Sequence, residues 1–173
     1  MNILRFLRPA CIDLALAFAP TPPPEGGESA EARGARLRRD KERLLGELAA
    51  LLARSGEIIN VPRFAKDLLH RERKATTAIA PGVAIPHVRS YQARSFVIGL
   101  ARLPPPGIDF ASLDGEPTRL FVLLTSPPWD DRTYLQVYRE FVQLVQDEEA
   151  MRALLAAESA QEVFNALRAA AFR

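Results

Sequence analysis

The sequence predicts a layered α/β fold, a single domain over residues 1–173, and three observations carry that reading. Leu120-Phe121-Val122-Leu123-Leu124 is continuously apolar, as a strand covered on both faces is. Leu37, Leu44, Leu45, Leu48, Leu51 and Leu52 recur at helical spacing with Arg, Lys and Glu between them. Strand-like and helix-like runs are mixed along the chain, with helices enough to cover both faces of a sheet. A chain of 173 residues is long enough for one full hydrophobic core, while two independent domains would be cramped.

Taken in order, Ile12, Leu14 and Leu16 alternate with Cys11, Asp13 and Ala15, a period of two that predicts a strand with one buried face ending by Pro20. Residues 19–34 are rich in proline, glycine and small polar side chains and read as a surface insertion, a loop or tether. The leucine pattern predicts a helix over about residues 36 to 54, stopped by Ser55-Gly56. A second helix starts at Asn60 as N-cap with Pro62 in its first turn, burying Phe64, Ala65, Leu68 and Leu69. Its tail, His70-Arg71-Glu72-Arg73-Lys74, reads on its own as a solvated helix end whose cations face the negative pole of the helix dipole. Residues 75–81 form a loop with the hydroxyls of Thr76 and Thr77. Ser95 to Leu103 reads as a strand closed by Pro104-Pro105-Pro106-Gly107, and the turn at Asp114-Gly115 leads into the apolar strand at 120–124. A helix over about 131–146 is expected to bury Leu135, Tyr138, Phe141, Val142 and Val145. Two shorter helices carry Met151, Leu154 and Leu155, then Val163, Phe164 and Leu167.

Charge and cysteine content narrow the function. The 23 basic and 21 acidic residues nearly balance, and no dense basic block with interleaved aromatics is present, which argues against nucleic acid as a partner. The single cysteine cannot form an internal disulfide or complete a thiolate metal site, so a reducing, cytoplasmic setting is expected. Arg5 and Arg8 ahead of the apolar run 10–19 loosely imitate a secretion signal, but Asp13 interrupts the run, and no stretch approaches a membrane-spanning length.

Gly82-Val83-Ala84-Ile85-Pro86-His87-Val88-Arg89 is the stretch with chemical potential. Pro86 fixes its own φ and pushes Ile85 into an extended conformation, so His87 is aimed by stiff backbone at the end of a strand. A neutral imidazole offers a nucleophilic nitrogen, and Arg89, two residues on, projects to the same side of an extended chain. A guanidinium beside a nucleophilic nitrogen suits an incoming phosphoryl group. By itself a Pro-His pair reads more readily as a histidine that merely satisfies a loop.

The order of motifs goes further. Arg71-Glu72, Thr76-Thr77, Gly82 to His87, Gly107-Ile108-Asp109-Phe110, Asp114-Gly115-Glu116-Pro117, the apolar strand ending at Pro127 and Ala157-Glu158-Ser159-Ala160-Gln161-Glu162-Val163 follow one another as in a known family. The opening Leu7-Arg8-Pro9-Ala10-Cys11-Ile12 fits as well. In these features the chain resembles the IIA domains of the bacterial phosphotransferase system, specifically the fructose/mannitol class that includes the nitrogen-regulatory IIA proteins. The resemblance implies a mixed central β-sheet flanked by helices on both sides. It implies a phosphohistidine phosphocarrier that takes a phosphoryl group from an HPr-type carrier protein onto the ε-nitrogen of His87. The group is then passed to the IIB domain of a sugar permease, or its presence selects a regulatory partner. Arg71 would pair with phosphate oxygens or orient the site, Thr76 or Thr77 would hydrogen-bond the imidazole or the phosphate, and no metal or cofactor is called for. Arg89 is added as a phosphate contact from the residue reading. The family's second active-site histidine corresponds to Tyr134 here, and its glycine after the threonine pair to Ala78. A phenol is neutral near pH 7 and cannot supply an imidazolium's charge, so a module of the same fold that binds partners without transferring phosphate is the alternative.

Overall fold

Six strands form one mixed sheet in the computed structural model, which describes residues 3–171. The strands are β1 (Leu7–Asp13), β2 (Ala78–Ala80), β3 (Val83–Ala84), β4 (His87–Arg89), β5 (Val97–Arg102) and β6 (Leu120–Ser126). Their order is β1-β5-β6-β3-β2, with β4 also on β6. β6 runs antiparallel to β5 and parallel to β3 and β4, while β1 lies parallel to β5 and β2 antiparallel to β3.

Every residue of β6 is buried, which accounts for its unbroken apolar run. Its side chains alternate between two cores, as the two-residue period of a strand requires. Phe121 and Leu123 enter the core built with α1 (Ala30–Ala53) and α2 (Val61–Lys74). Leu120, Val122 and Leu124 enter the opposite core, built with α3 (Asp131–Leu144), α4 (Glu148–Ala156) and α5 (Ala160–Ala171). The expected sheet with helices on both faces is thus the observed one. Asn60 caps α2 as predicted, its side chain accepting from the Arg63 N–H at 3.0 Å.

Several expectations are corrected. The first strand lies at 7–13 rather than 11–16, with its register irregular between Leu7 and Ile12. Cys11 is fully buried against α1, while Ile12 and Leu14 are half-buried against the other core. Both faces of the strand are therefore covered, and alternation alone pointed to the wrong inner face. Pro9 is tolerated because β1 is an edge strand.

The proline-rich segment is not a tether. Ser29 caps α1, accepting from Ala32 N–H at 3.2 Å, so the helix begins at Ala30 and absorbs residues 30–34. The preceding loop is strapped down: Thr21 donates through its N–H (2.8 Å) and hydroxyl (2.6 Å) to buried Asp40, and Glu28 pairs with Arg36. Phe18, just ahead of the segment, is buried.

In α3, Leu135 points outward at 52% exposure, and Val137 is buried instead, in line with Phe141 and Leu144. Glu72, expected on a solvated helix end, is buried. No helix among the described residues is long and apolar enough to cross a membrane.

Candidate functional site

His87 is the first residue of β4 and is placed by backbone on both sides. β3 and β4 flank Ile85-Pro86 and pair with β6 in one continuous register, Ala84 opposite Phe121 and His87 opposite Leu124, three residues on in each strand. The Pro86 carbonyl accepts from Leu124 N–H at 3.1 Å, and the Ile85 N–H donates to the Thr77 carbonyl at 2.9 Å. The Ile85 carbonyl accepts from Nδ1 of His87, at 2.6 Å.

The other ring nitrogen faces α2. Arg71 donates to Nε2 of His87 from Nε at 3.2 Å and from Nη2 at 2.8 Å, while its Nη1 holds the Ala75 carbonyl at 3.0 Å. A guanidinium has no acceptor and a carbonyl no proton, so these partners assign the neutral tautomer with its proton on Nδ1 and a lone pair on Nε2. Burial pushes the His87 pKa down to about 4, and the Arg71 charge adds to the effect against the Ile85 hydrogen bond and the Glu72 charge. The ring is neutral at pH 7.

Aromatic side chains of α3 wall the imidazole. Tyr138 meets it edge-on with centroids 4.8 Å apart, and Tyr134 lies at 6.1 Å and stacks with Tyr138. Burial raises the Tyr134 pKa to about 12 against the charges of Arg71 and Arg89, so its phenol is uncharged. Outside this wall opens a cleft of about 410 Å³ whose lining includes the cations Arg71, Lys74 and Arg89, the carboxylate Asp67, and His70, Tyr91 and Tyr134. Arg89 pairs with Asp131 at the start of α3, and its guanidinium lies 5.6 Å from the Tyr134 ring centroid.

His87, Arg71, Tyr134 and Arg89 are thus gathered at one place, while the threonine hydroxyls bond elsewhere and not to the imidazole. Thr77 is buried and gives its N–H (2.9 Å) and hydroxyl (2.6 Å) to the Glu72 carboxylate. Thr76 donates to the Phe110 carbonyl at 3.2 Å. The reason is geometric: Glu72 follows Arg71 on the helix and projects inward, where it captures the threonine that the loop delivers. Tyr138 and Glu72 were missed as site residues. Tyr138 was legible only as a core position of α3, and Glu72 as a charge on the helix tail and as the second member of the Arg71-Glu72 motif, without a role of its own. Among the described residues, no cluster of histidine, cysteine and carboxylate side chains is suited to a metal ion.

Comparison with known proteins places the chain in a family. Residues 36–170 match the family model described as phosphoenolpyruvate-dependent sugar phosphotransferase system, EIIA 2. A nitrogen regulatory protein of Bradyrhizobium diazoefficiens is 35% identical over 128 residues, covering 73% of this chain and 82% of that protein. The fructose-specific EIIABC component of Bacillus subtilis is 28% identical over 127 residues, and there the match spans only 20% of the relative's length. The crystal structure of nitrogen regulatory protein IIA-Ntr from Neisseria meningitidis superposes with a TM-score of 0.77 at 23% identity, covering 96% of this chain and 99% of that one. The order of motifs around His87, the mixed sheet between two helical layers and the family match over most of the chain lead to one conclusion: this protein belongs to the EIIA 2 family of the phosphoenolpyruvate-dependent sugar phosphotransferase system.

Proposed function

We propose that the whole chain acts as one cytoplasmic EIIA-type unit, a phosphohistidine carrier that accepts a phosphoryl group on Nε2 of His87. The donor is the phosphohistidine of an HPr-type carrier protein. The acceptor is a IIB domain, or the phosphorylated state itself selects a regulatory protein. The observation that carries this reading is the pair of contacts on the imidazole, Nδ1–H on the Ile85 carbonyl and Nε2 facing the Arg71 guanidinium.

In the transfer, the Nε2 lone pair forms the new N–P bond as the donor's N–P bond breaks, and the departing imidazole keeps that bond's electron pair. The ring of His87 gains positive charge, which the Ile85 carbonyl stabilises through Nδ1–H. The incoming oxygens take over the Arg71 donors that Nε2 relinquishes, and Arg89 supplies further positive charge from the cleft rim. Positioning and charge neutralisation are what phosphoryl transfer asks of a protein. Arg89 is the basic side chain nearest to filling the electrostatic role of the histidine that Tyr134 replaces, since it lies over the Tyr134 ring.

The test is incubation with an HPr-type carrier bearing labelled phosphohistidine. The expected result is acid-labile, base-stable label on this protein, absent in His87→Ala. Label that persists in His87→Ala sinks the assignment. A second reading, a partner-binding module without transfer, is favoured by Tyr134, whose contact with His87 is ring to ring. Wild-type protein that takes no label from a competent carrier selects it.

A further inference from the structure

A hydrogen-bonded path runs from α1 to the imidazole through groups that do not touch the cleft. It starts at Lys41, whose Nζ lies 2.7 Å from Glu72 Oε1 and donates to the Phe110 carbonyl at 2.8 Å. The Phe110 ring lies beneath it, with Nζ 4.1 Å from the centroid. Glu72 holds Thr77 by both its N–H and its hydroxyl. The Thr77 carbonyl receives the Ile85 N–H at 2.9 Å, and the Ile85 carbonyl receives Nδ1–H of His87 at 2.6 Å. Each step fixes the group that makes the next, so the position of one carbonyl is set from 46 residues upstream of the histidine.

The charges make Lys41 the critical member. The Glu72 side chain is 2% exposed and that of Lys41 16%. A carboxylate removed from water needs a paired cation as well as hydrogen bonds. Arg71 is its neighbour in sequence, but the Arg71 donors are taken by His87 and the Ala75 carbonyl. Among the described residues, Lys41 is the cation in ion-pair contact with Glu72. Without it, the buried carboxylate is left without a paired cation, and its grip on Thr77 changes.

We propose that Lys41 is a positioning residue for His87: by neutralising buried Glu72 it keeps Thr77 and the Ile85 carbonyl in place, and so holds the imidazole with Nδ1 protonated and Nε2 available. This rests on His87 being the phosphoacceptor, but the geometry it predicts is present in the unphosphorylated protein and is measured there. The groups that face the imidazole are Arg71 and Glu72 on α2, Tyr134 and Tyr138 on α3, Ile85 in the sheet, and Arg89 at the rim.

The experiment is nitrogen-15 NMR of the imidazole in folded wild type, Lys41→Met, Lys41→Arg and the double variant Lys41→Met/Glu72→Gln, alongside the rate of phosphoryl acceptance. Glutamine keeps an acceptor for Thr77 without the buried charge. Wild type should show the Nδ1–H tautomer and a titration midpoint far below the ordinary histidine value of about 6.5. Lys41→Met should mix the tautomers, move the midpoint upward and slow acceptance by roughly 10-fold or more, as loss of a properly oriented reacting group does. Lys41→Arg and the double variant should each recover most of the wild-type tautomer signal. The double variant also keeps the test decisive if Lys41→Met alone does not fold. A folded Lys41→Met protein that keeps the wild-type tautomer and midpoint overturns the proposal, and so does a double variant that fails to recover the wild-type tautomer. If instead the tautomer responds as expected while wild type accepts no phosphate, the relay stands and the carrier reading fails.

Discussion

At the scale of single residues, His87 shows how burial prepares a nucleophile and what that costs. Its pKa lies near 4 in the folded protein and near the ordinary 6.5 in the unfolded chain. Above pH 6.5 both states are neutral there and the group contributes nothing to pH dependence. As pH falls from about 6.5 to about 4, the unfolded chain takes up a proton that the folded protein refuses, so stability is lost across that window. The loss approaches about 3 kcal/mol by pH 4. Urea denaturation at pH 7 and pH 4.5 should show this slope in wild type and a shallower one in His87→Gln, and equal slopes would contradict it. The acceptance rate should stay flat from pH 8 to about pH 5, because the nucleophile remains unprotonated. How much of the site was legible follows the same logic. His87 stood out because a proline-stiffened histidine is a local feature, whereas Arg71 reads on its own as part of a solvated helix end and enters the site only through the family resemblance. The roles of Thr76 and Thr77 were not readable, because a hydroxyl bonds whatever acceptor the tertiary fold presents, and here these are the Phe110 carbonyl and Glu72.

At the scale of elements, periodicity located most helices and strands but not their limits. The α1 start was misplaced because proline and glycine drew attention away from Ser29, whose cap lets an Ala-rich run fold. β1 was displaced because both its faces are covered, which removes the contrast that alternation relies on. The turn after β5 was read correctly as far as Gly107, and the structure adds why glycine is needed there. Gly107 has φ +90°, and a Cβ at that position would run into the Thr118 carbonyl and stand 2.7 Å from Cγ of Arg119. Gly107→Ala should therefore destabilise by about 2 kcal/mol and lower the melting temperature by roughly 4–8 °C. An unchanged melting temperature would show that the turn can refold around the methyl group. Because residues 108–110 follow directly and deliver the Phe110 carbonyl to Lys41, the same variant should also disturb the α1 end of the path to His87.

At the scale of the whole molecule, the sheet divides the interior into two cores that share β6. Leu48 sits fully buried in one and Leu154 in the other. Truncation of either to alanine should cost about 2–5 kcal/mol, and the double variant should lose close to the sum, since the sites lie on opposite faces and share no partners. Both should unfold in one transition by calorimetry, because neither core exists without the strand between them. Two separate transitions would mean that the helical layers come apart independently. The alternation of β6 between these cores was not readable from its sequence, where five apolar residues in a row carry no phase. One last consequence concerns the interruption at Ile85-Pro86. The partner of Nδ1 is a main-chain carbonyl at a sheet edge, so no codon change at a single position removes it. Substitution of the surrounding side chains leaves that acceptor in the chain. The acceptor for Nδ1 is therefore carried by the path of the backbone, while the side chains of Lys41, Glu72 and Thr77 keep it in place.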